Sequence, residues 1–592
     1  MKWLLYFIIT MIGLLGNKAI CIAAAFNNTN NYAASATGQV NVTISPTKKS
    51  GAFNTKSKVN YNLYVKNGLP EEQNGTITYK VKDVGGSEIM SKTFDIKIPA
   101  NKKIATVINI LHSTEGQFSI TFNLVLNNNK SDFNFNFAFN QGKKFSIKPE
   151  KEKQKKIKSV SLEVPDPEME GEIKTTFKPI NQDGVFLEKD PIIYYLELHN
   201  TYPISQEGTV SYRVREATKG TIVSQKVFDV RLKKRGTQNL KIVVSTPPKP
   251  GIYNIDFSVN TNTYDDTSHY AFGYEIAQIN TPYHRPEDFD EFWKRAMEEL
   301  ATINPSYKVE EDPELSDVKF NVYHVEMNSL DNVKINGWLT IPRTKMGGKF
   351  PVVVGYGGYQ VMARPLKFDD FACFTVNTRG ADRENSSDIN PNGEELLTLN
   401  IWDPQHYVYR GIYMDCIRAI DFLYANETMG FDVNRIALFG GSQGGSFALI
   451  VSALMNKKIK TCIADNPTYC DYHLNLAMES QIRERSFVLE YIHKFLAANR
   501  NYTLNDLLQT LSYFEIQNFI PKIKCPVLFG IGLLDPLAPA VTTIGAYNKL
   551  NPETMKMSEI YTFPTLAHEV PERHNTFKST WFFEKLAPGK KN

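Results

Sequence analysis

The sequence predicts a mostly parallel β-sheet flanked by helices in the C-terminal half of the chain, preceded by two tandem β-sandwich domains. Three observations lead to this prediction. From residue 351 onward, apolar strand-like runs alternate with helix-like runs, which is the pattern of parallel βαβ units. Residues 27–277 show short alternating runs without helical periodicity, and part of this pattern occurs twice. A serine flanked by glycines joins one of the C-terminal strands to a helix.

The composition is that of an ordinary globular protein. The chain has 592 residues, of which 42% are hydrophobic and 22% charged. This length suggests three or four domains. The formal net charge of +4 is small for the length and favours neither nucleic acid nor a membrane surface as a partner.

Residues 1–25 resemble an export signal. Lys2 precedes an apolar run at 3–15, which is shorter than the ~20 residues that span a bilayer. The small residues at 23–25 provide a cleavage site, so we expect a periplasmic or extracellular protein. Cys21 is an alternative lipid-anchor position, but the three residues before it match such a site poorly. Cleavage and release are therefore favoured.

An internal repeat predicts the two β-sandwich domains. The stretch 75–81 returns at 208–214, 94–96 returns at 228–230, and 116–120 returns at 251–255, in the same order and at nearly constant offset. Two immunoglobulin-like domains at 26–148 and 159–279 explain this repeat, with a charged linker at 149–158 between them. Phe133, Phe135, Phe137 and Phe139 alternate with other residues and are expected on one face of a strand, towards the core rather than a sugar.

The region 280–592 is predicted to be the α/β domain. A helix is expected at 285–300, where apolar residues recur at helical spacing, followed by strands at 318–325 and 333–341. Further strands are expected at 351–355, 372–377, 436–439, 461–464, 527–532 and 558–563. Helices are expected near 409–424, 445–455, 540–549 and 573–586, with a helical insert at 471–513.

The turn after the strand 436–439 carries the pattern Gly440-x-Ser442-x-Gly444. This is the nucleophile elbow of α/β-hydrolases, in which a serine occupies a sharp turn between strand and helix. Glycines two residues to either side avoid collisions with neighbouring backbone. The pattern also occurs in ordinary loops, but its position between a buried strand and a helix predicts that Ser442 is a nucleophile.

A serine nucleophile needs a histidine base, and in this fold the base follows the last strand. His568 follows the predicted strand 558–563 and is the candidate. Two other histidines after the serine lie in the helical insert. His574 lies on the next helix, where we expect a surface residue.

The base is oriented by an acid that lies between the serine and the histidine in the chain. Asp535 directly follows the predicted strand 527–532 and is favoured by this order. Asp465, after the preceding strand, is the alternative. The pair Asp535-Pro536 is also consistent with a simple turn, and both interpretations can hold together.

Two backbone N–H groups are expected to form the oxyanion hole. One is that of Gln443, directly after the serine, and the other is that of Tyr359, in the glycine-rich loop 355–360. A bare turn is the alternative interpretation of that loop.

No cofactor or metal is expected. Apart from Cys21, the chain has five cysteines, without the CxxC spacing of a zinc site and in an odd number for a disulfide framework. We found no cluster of histidine, cysteine and aspartate with ligand spacing in the sequence. Three of the cysteines, Cys373, Cys462 and Cys525, lie in or beside apolar runs and are expected to be buried.

The C-terminal part resembles acetyl xylan esterases and cephalosporin C deacetylases, carbohydrate esterase family seven. The matching stretches are RPEDFDEFW at 285–293, TRG at 378–380, YRGIYMD at 409–415, GSQGG at 441–445, YFEIQNF at 513–519, GLLD at 532–535 and AHE at 567–569. The resemblance implies deacetylation of sugars with the same Ser442, Asp535, His568, Tyr359 and Gln443.

The chain also departs from this family. The family usually has His-Gly-Tyr in the oxyanion loop, where this chain has Gly357-Gly-Tyr359, and two prolines after the acid, where this chain has Pro539-Ala540. The first change removes a polar side chain beside the site and concerns substrate preference. The resemblance implies hexameric rings, but two added domains lead us to expect a monomer or dimer.

The sequence therefore predicts a secreted serine esterase that removes acetyl groups from O-acetylated sugars or xylan-type oligosaccharides. A broad small-ester hydrolase or peptidase on the same fold is the first alternative. A non-catalytic surface glycan-binding protein would require a broken triad and ranks last.

Overall fold

The computed structural model describes residues 33–37, 40–46, 52–54, 59–67, 69–83, 87–100, 102–110, 116–126, 129–140, 171–343, 349–381, 389–390, 394–479 and 486–587. The predicted export signal and the charged linker lie outside these residues. None of the helices in the described ranges has both the length and the apolar character needed to cross a bilayer.

The first strand-rich region forms two sheets around one apolar core. Its strands are β1 (Ala33–Thr37), β2 (Val40–Pro46), β3 (Ala52–Asn54), β4 (Val59–Asn67), β5 (Gln73–Asp83), β6 (Glu88–Ile98), β7 (Lys103–Ile110), β8 (Gly116–Leu126) and β9 (Asn129–Asn140). The sheet orders are β1-β2-β4-β7 and β3-β9-β8-β5-β6. Buried residues from both sheets belong to one cluster.

The second region repeats this arrangement. Its strands are β10 (Ile173–Pro179), β11 (Val185–Phe186), β12 (Ile192–Asn200), β13 (Gln206–Glu216), β14 (Ile222–Leu232), β15 (Thr237–Val244), β16 (Gly251–Thr261) and β17 (Asp265–Tyr274). The sheet orders are β10-β12-β15 and β11-β17-β16-β13-β14. These strands also enclose a core of their own.

The two regions share details that the sequence repeat leads us to expect. A register shift interrupts the β5–β6 pairing between Val81 and Lys82, and the β13–β14 pairing between Val214 and Arg215. In both regions one short strand pairs in parallel with the last strand. The duplicated topology agrees with the repeat, whereas the immunoglobulin-like class and the domain boundaries stay predictions.

The three phenylalanines of β9 with described side chains face the core, as their alternation predicts. Phe133 and Phe137 are buried, and Phe135 packs against the same cluster. The side chain of Phe139 lies outside the described residues. A row of core-facing rings explains the alternation without a sugar-binding surface.

The third region contains one nine-stranded sheet and helices on both of its faces. The strands are β18 (Lys308–Glu311), β19 (Phe320–Asn328), β20 (Lys334–Pro342), β21 (Phe350–Tyr356), β22 (Ala372–Asn377), β23 (Phe431–Gly441), β24 (Thr461–Asp465), β25 (Val527–Gly532) and β26 (Glu559–Phe563). The helices are α1 (Phe289–Thr302), α2 (Val408–Ala425), α3 (Gln443–Leu454), α4 (Tyr472–Met478), α5 (Phe487–Ala498), α6 (Leu504–Leu511), α7 (Ala540–Tyr547), α8 (Pro552–Met557) and α9 (Glu572–Leu586).

The sheet order is β18-β19-β20-β22-β21-β23-β24-β25-β26. Pairing is antiparallel from β18 to β22 and parallel from there to β26. Alternate residues of β21 enter different cores: Val352 and Val354 pack in the main cluster, and Val353 packs with Trp581 of α9. Because both faces are covered, the central strands are continuous apolar runs, which explains why they stand out in the sequence.

The predicted elements of this region are present, most of them with small shifts at their ends, although β23 already begins at Phe431 where a strand was expected from 436. Strands 372–377 and 527–532 have the predicted bounds, and the insert contains α4, α5 and α6. The helix predicted at 285–300 begins only at Phe289, because the residues before it form a turn closed by Phe289 N–H and the Pro286 carbonyl. Two short elements, β18 and α8, were not predicted.

The second region packs directly on the third. The Ala271 N–H donates to the Pro564 carbonyl at 3.0 Å, and the Thr562 hydroxyl donates to the Asp183 carbonyl at 2.7 Å. Ile252 also belongs to the same apolar cluster as the large sheet. These contacts place the second region beside the chain segment that follows β26.

Candidate active site

Ser442 occupies a tight turn between β23 and α3. Its backbone has φ 57° and ψ −128°, a conformation that non-glycine residues rarely adopt. The neighbouring glycines are required by close backbone contacts. A Cβ on Gly440 would lie 2.3 Å from the Gly444 carbonyl carbon, and a Cβ on Gly444 would lie 2.1 Å from the Tyr356 carbonyl oxygen. This is the geometry expected of a nucleophile elbow.

Ser442, His568 and Asp535 are in contact. His568 Nε2 lies 2.7 Å from Ser442 Oγ, and His568 Nδ1 lies 2.7 Å from Asp535 Oδ2. The other oxygen of Asp535 accepts hydrogen bonds from the N–H groups of Leu537 and Ala538 at 2.8 and 2.9 Å. The Asp535 carboxylate is also fully buried. Backbone N–H groups hold one of its oxygens, and the other oxygen faces the histidine.

Asp465, the alternative acid, has other partners. Its carboxylate accepts from His574 Nε2 at 2.9 Å and from Lys578 Nζ at 2.8 Å. Its carbonyl accepts the N–H of Ser442 at 2.8 Å, so its backbone supports the elbow. The expectation of a surface position for His574 is wrong, because this histidine is fully buried and is paired with Asp465.

Gln443 begins α3 and has a fixed side chain. Its Oε1 accepts hydrogen bonds from the hydroxyl groups of Tyr409 at 2.6 Å and Tyr469 at 3.1 Å. The two hydroxyl groups are 3.1 Å apart, and burial raises the pKa of Tyr469 to about 12. Both tyrosines thus stay protonated and available as donors at neutral pH.

Tyr359 lies in the loop after β21, beside the elbow. The packing of Gly444 against the Tyr356 carbonyl brings this loop to the start of α3. The Tyr359 hydroxyl donates to the Glu395 carboxylate, and burial together with this contact raises the pKa of Tyr359. Its ring packs against Phe487 of α5.

Sequence reasoning missed the residues that support the candidate site from other segments. Tyr409 falls within the stretch YRGIYMD, which marks it only as part of a family pattern. Tyr469 and Glu395 carry no local signal, because their contacts depend on how distant segments fold together. The five free cysteines of the described chain are all buried, as expected for the three beside apolar runs.

The residues that could hold a metal are also not adjacent in sequence. One potential ligand atom of each of His284, Asp471 and His473 lies within 4.8 Å of the others. None of these three contacts the Ser442–His568–Asp535 group through a hydrogen bond given by the structure. The contacts among Ser442, His568 and Asp535 do not involve these three residues.

Comparison with known proteins shows what this chain is similar to. The family model described as acetyl xylan esterase (AXE1) matches residues 274–586. The acetyl esterase Axe7A of Xylanibacter ruminicola (strain ATCC 19189 / DSM 19721 / CIP 105475 / JCM 8958 / 23) is 25% identical over 323 residues, covering 52% of this chain and 69% of that protein.

Two solved structures are acetyl xylan esterases. Acetyl xylan esterase 1 from Thermoanaerobacterium sp. JW/SL YS485 is 20% identical, with a TM-score of 0.47, covering 53% of this chain and 98% of that chain. The acetyl xylan esterase from Paenibacillus sp. R4 is 26% identical, with a TM-score of 0.46, covering 53% of this chain and 99% of that chain.

The matched residues include the elbow, the nine-stranded sheet and the segment after β26. They make up more than half of the chain. The chain therefore belongs to the acetyl xylan esterase (AXE1) family and is a carboxylic ester hydrolase.

Proposed function

We propose that this enzyme removes acetyl groups from O-acetylated sugars or xylan-type oligosaccharides through an acyl-enzyme on Ser442. The observation that carries the mechanism is the unbroken chain of contacts from Ser442 Oγ through the His568 ring to Asp535 Oδ2, each 2.7 Å long. His568 takes the serine proton during attack and returns it to the leaving sugar oxygen. Asp535 holds the ring in the productive tautomer and stabilises the imidazolium.

The N–H groups of Gln443 and Tyr359 are the proposed oxyanion donors. Gln443 is the first residue of α3, where N–H groups have no partner within the helix and the helix dipole favours negative charge. One such donor contributes about 3–4 kcal/mol to stabilisation of the transition state. The hydroxyl groups of Tyr409 and Tyr469 donate to the Gln443 side chain and support this role by fixing the residue.

The proposal of an acetyl group rests on the family. Ser442 and His568 line a cavity of about 390 Å³, which has room for a sugar as well as an acyl group. One extra methylene in an open pocket changes the rate only roughly 10–200-fold, so a strong preference for acetyl requires an acyl site that is closed to longer chains.

Export and a metal-free reaction complete the proposal. The apolar run at 3–15 with a small-residue cleavage site supports delivery outside the cytoplasm, where polymeric glycan is met. Acyl transfer by a serine needs no metal. We propose that the two strand regions are immunoglobulin-like packing partners or spacers, since most of their described aromatic side chains face their own cores.

The test is a side-by-side assay of the purified enzyme on acetyl and butyryl esters of one alcohol, on acetylated xylo-oligosaccharides and on a peptide. We expect the highest kcat/KM on acetyl substrates and none on the peptide. Faster turnover of the butyryl ester contradicts the acetyl assignment. Broad cleavage of simple esters with no action on acetylated oligosaccharides favours the general small-ester hydrolase instead.

A further inference from the structure

Two histidines and one aspartate outside the proposed triad come together from distant parts of the chain. His284 belongs to the segment that joins the second strand region to α1. Asp471 is the N-cap of α4, and His473 is the second residue of that helix. One potential ligand atom of each lies within 4.8 Å of the other two.

Only one oxygen of the Asp471 carboxylate accepts a hydrogen bond from the described residues. Oδ1 accepts the Leu474 N–H at 2.8 Å, as an N-cap does. Oδ2 is buried and has no hydrogen-bond partner within the described residues, in a side chain that is only 2% exposed. A buried carboxylate oxygen without a partner is costly, so a bound cation would satisfy it.

His473 is oriented as metal-ligating histidines are. Its Nδ1 lies 3.0 Å from Oε1 of Glu515, a fully buried carboxylate. The same oxygen also accepts the Tyr472 N–H at 2.8 Å, and Glu515 Oε2 accepts from Gln517 Nε2 at 3.0 Å. Histidine ligands usually bind a carboxylate through the ring nitrogen that does not hold the metal. The Glu515 contact thus leaves Nε2 of His473 to face an ion.

His284 supplies the third donor. Its ring lies parallel to that of His473, with centroids 3.7 Å apart and an interplanar angle of 12°. Ligand atoms bound to one zinc ion at about 2.0–2.1 Å lie within about 4.2 Å of each other. The donors must therefore draw together, with the half-buried His284 ring turning out of the stack while His473 keeps its contact with Glu515.

We propose that His284, Asp471 and His473 form a binding site for a divalent transition-metal ion such as Zn²⁺. Two imidazoles and one carboxylate suit zinc, with the remaining position open to water. The ion would join the segment after the second strand region to the helical insert and would take no part in acyl transfer.

The ammonium group of Lys549 lies near the site, and its positive charge disfavours binding of a cation there. Lys549 interacts electrostatically with both His284 and Asp471. Its Nζ is held by the Thr281 carbonyl and hydroxyl at 2.8 and 2.7 Å. Two carboxylates, Asp471 and Glu515, outweigh this single ammonium, so the surroundings remain favourable to a divalent ion.

The experiment is calorimetric titration of chelator-treated full-length protein with zinc chloride, together with thermal unfolding at increasing zinc. We expect one equivalent bound and an unfolding midpoint that rises with zinc, because the ion binds only the folded chain. His284→Ala and His473→Ala are each expected to remove this equivalent, and Asp471→Asn to weaken it while keeping the helix cap. Esterase activity should be the same with and without zinc.

The matched control is His493→Ala, since His493 is an exposed histidine of the same insert that is paired with Glu479. It should bind zinc like the wild type. Circular dichroism checks that each variant is folded, and the two histidine variants test the site separately. The inference is overturned if the wild type binds no zinc, or if binding is unchanged in both folded histidine variants.

Discussion

Ser442 adopts a backbone conformation that costs on the order of 1–3 kcal/mol and persists only because its surroundings hold it. Its N–H donates to the Asp465 carbonyl at 2.8 Å, and its carbonyl accepts the Ser446 N–H at 3.2 Å. These bonds hold the residue on both sides of the strained dihedral angles. The hydroxyl is thereby presented to His568 rather than to its own backbone.

At the same scale, Tyr469→Phe tests whether the Gln443 side chain positions the proposed oxyanion donor. The change removes one hydrogen bond to Gln443 Oε1. A bond worth about 0.5–1.5 kcal/mol corresponds to a fall in kcat of roughly 2–10-fold. Because an oxyanion donor acts mainly in the transition state, KM should change little, and steady-state kinetics on an acetyl ester separates kcat from KM.

Tyr424→Phe is the matched control for this prediction. The Tyr424 hydroxyl donates to the Val433 carbonyl at 3.2 Å and touches no residue of the candidate site. Its kcat should equal that of the wild type. An unchanged kcat in Tyr469→Phe as well would show that the Gln443 side chain needs no support from this hydroxyl.

Residues with a local signal could be predicted from the sequence, and residues without one could not. Ser442 lies in a motif, and Asp535 and His568 follow predicted strands, so chain order makes them the candidates. Tyr469 has no such signal, because its contact is with a residue 26 positions away. The contact of His574 with Asp465, 109 residues earlier, depends on how the chain folds, and the place of His574 on a helix does not reveal it.

At the scale of elements, the elbow depends on close packing of α3 against the end of β21. Gly444→Ala should displace the elbow, because the new Cβ would lie 2.1 Å from the Tyr356 oxygen. A misplacement of about 1 Å costs ~10²-fold in rate, so we expect kcat to fall by about that factor. Kinetics with a check of folding by circular dichroism measures it.

Gly441→Ala is the steric control, since among the described residues the nearest atom to its Cβ would be the Asp465 carbonyl oxygen at 3.9 Å. This variant should keep most of its activity. Equal losses in the two alanine variants would mean that any added methyl disturbs the turn, contrary to the packing argument.

The central strands and long helices were predictable because both their length and their apolar character are visible in the sequence. β22 and β25 are buried at every residue, and turn residues bound them. β18 and α8 have four and six residues, too few to show a period. The helix α1 begins later than the sequence predicts because Pro286 and the acidic residues after it form a turn that resembles a first helical turn.

At the scale of the whole molecule, the second strand region supports the segment that leads to His568. Gly184 approaches Pro564 so closely that a Cβ on it would lie 2.7 Å from the Pro564 Cβ. Ala271 and Asp183 bind the same segment through backbone groups. The added region is thus in contact with the catalytic region and not merely tethered to it.

The added strand regions also affect the number of subunits that we expect in the assembled protein. We predict a monomer or dimer, because the strand regions add bulk where the chain enters each catalytic region. Light scattering of the mature protein measures the mass directly. A hexamer would show that the added regions point outward and leave a ring intact.

The most direct test of the proposed mechanism is the activity of Ser442→Ala on an acetyl ester. Members of a triad act as a unit, so kcat should fall by at least about 10⁴-fold. Ser452→Ala is the control, because Ser452 is a buried serine of the same helix that donates to the Ala448 carbonyl, and it should stay active. Retention of more than roughly a tenth of wild-type kcat by folded Ser442→Ala would contradict the assignment.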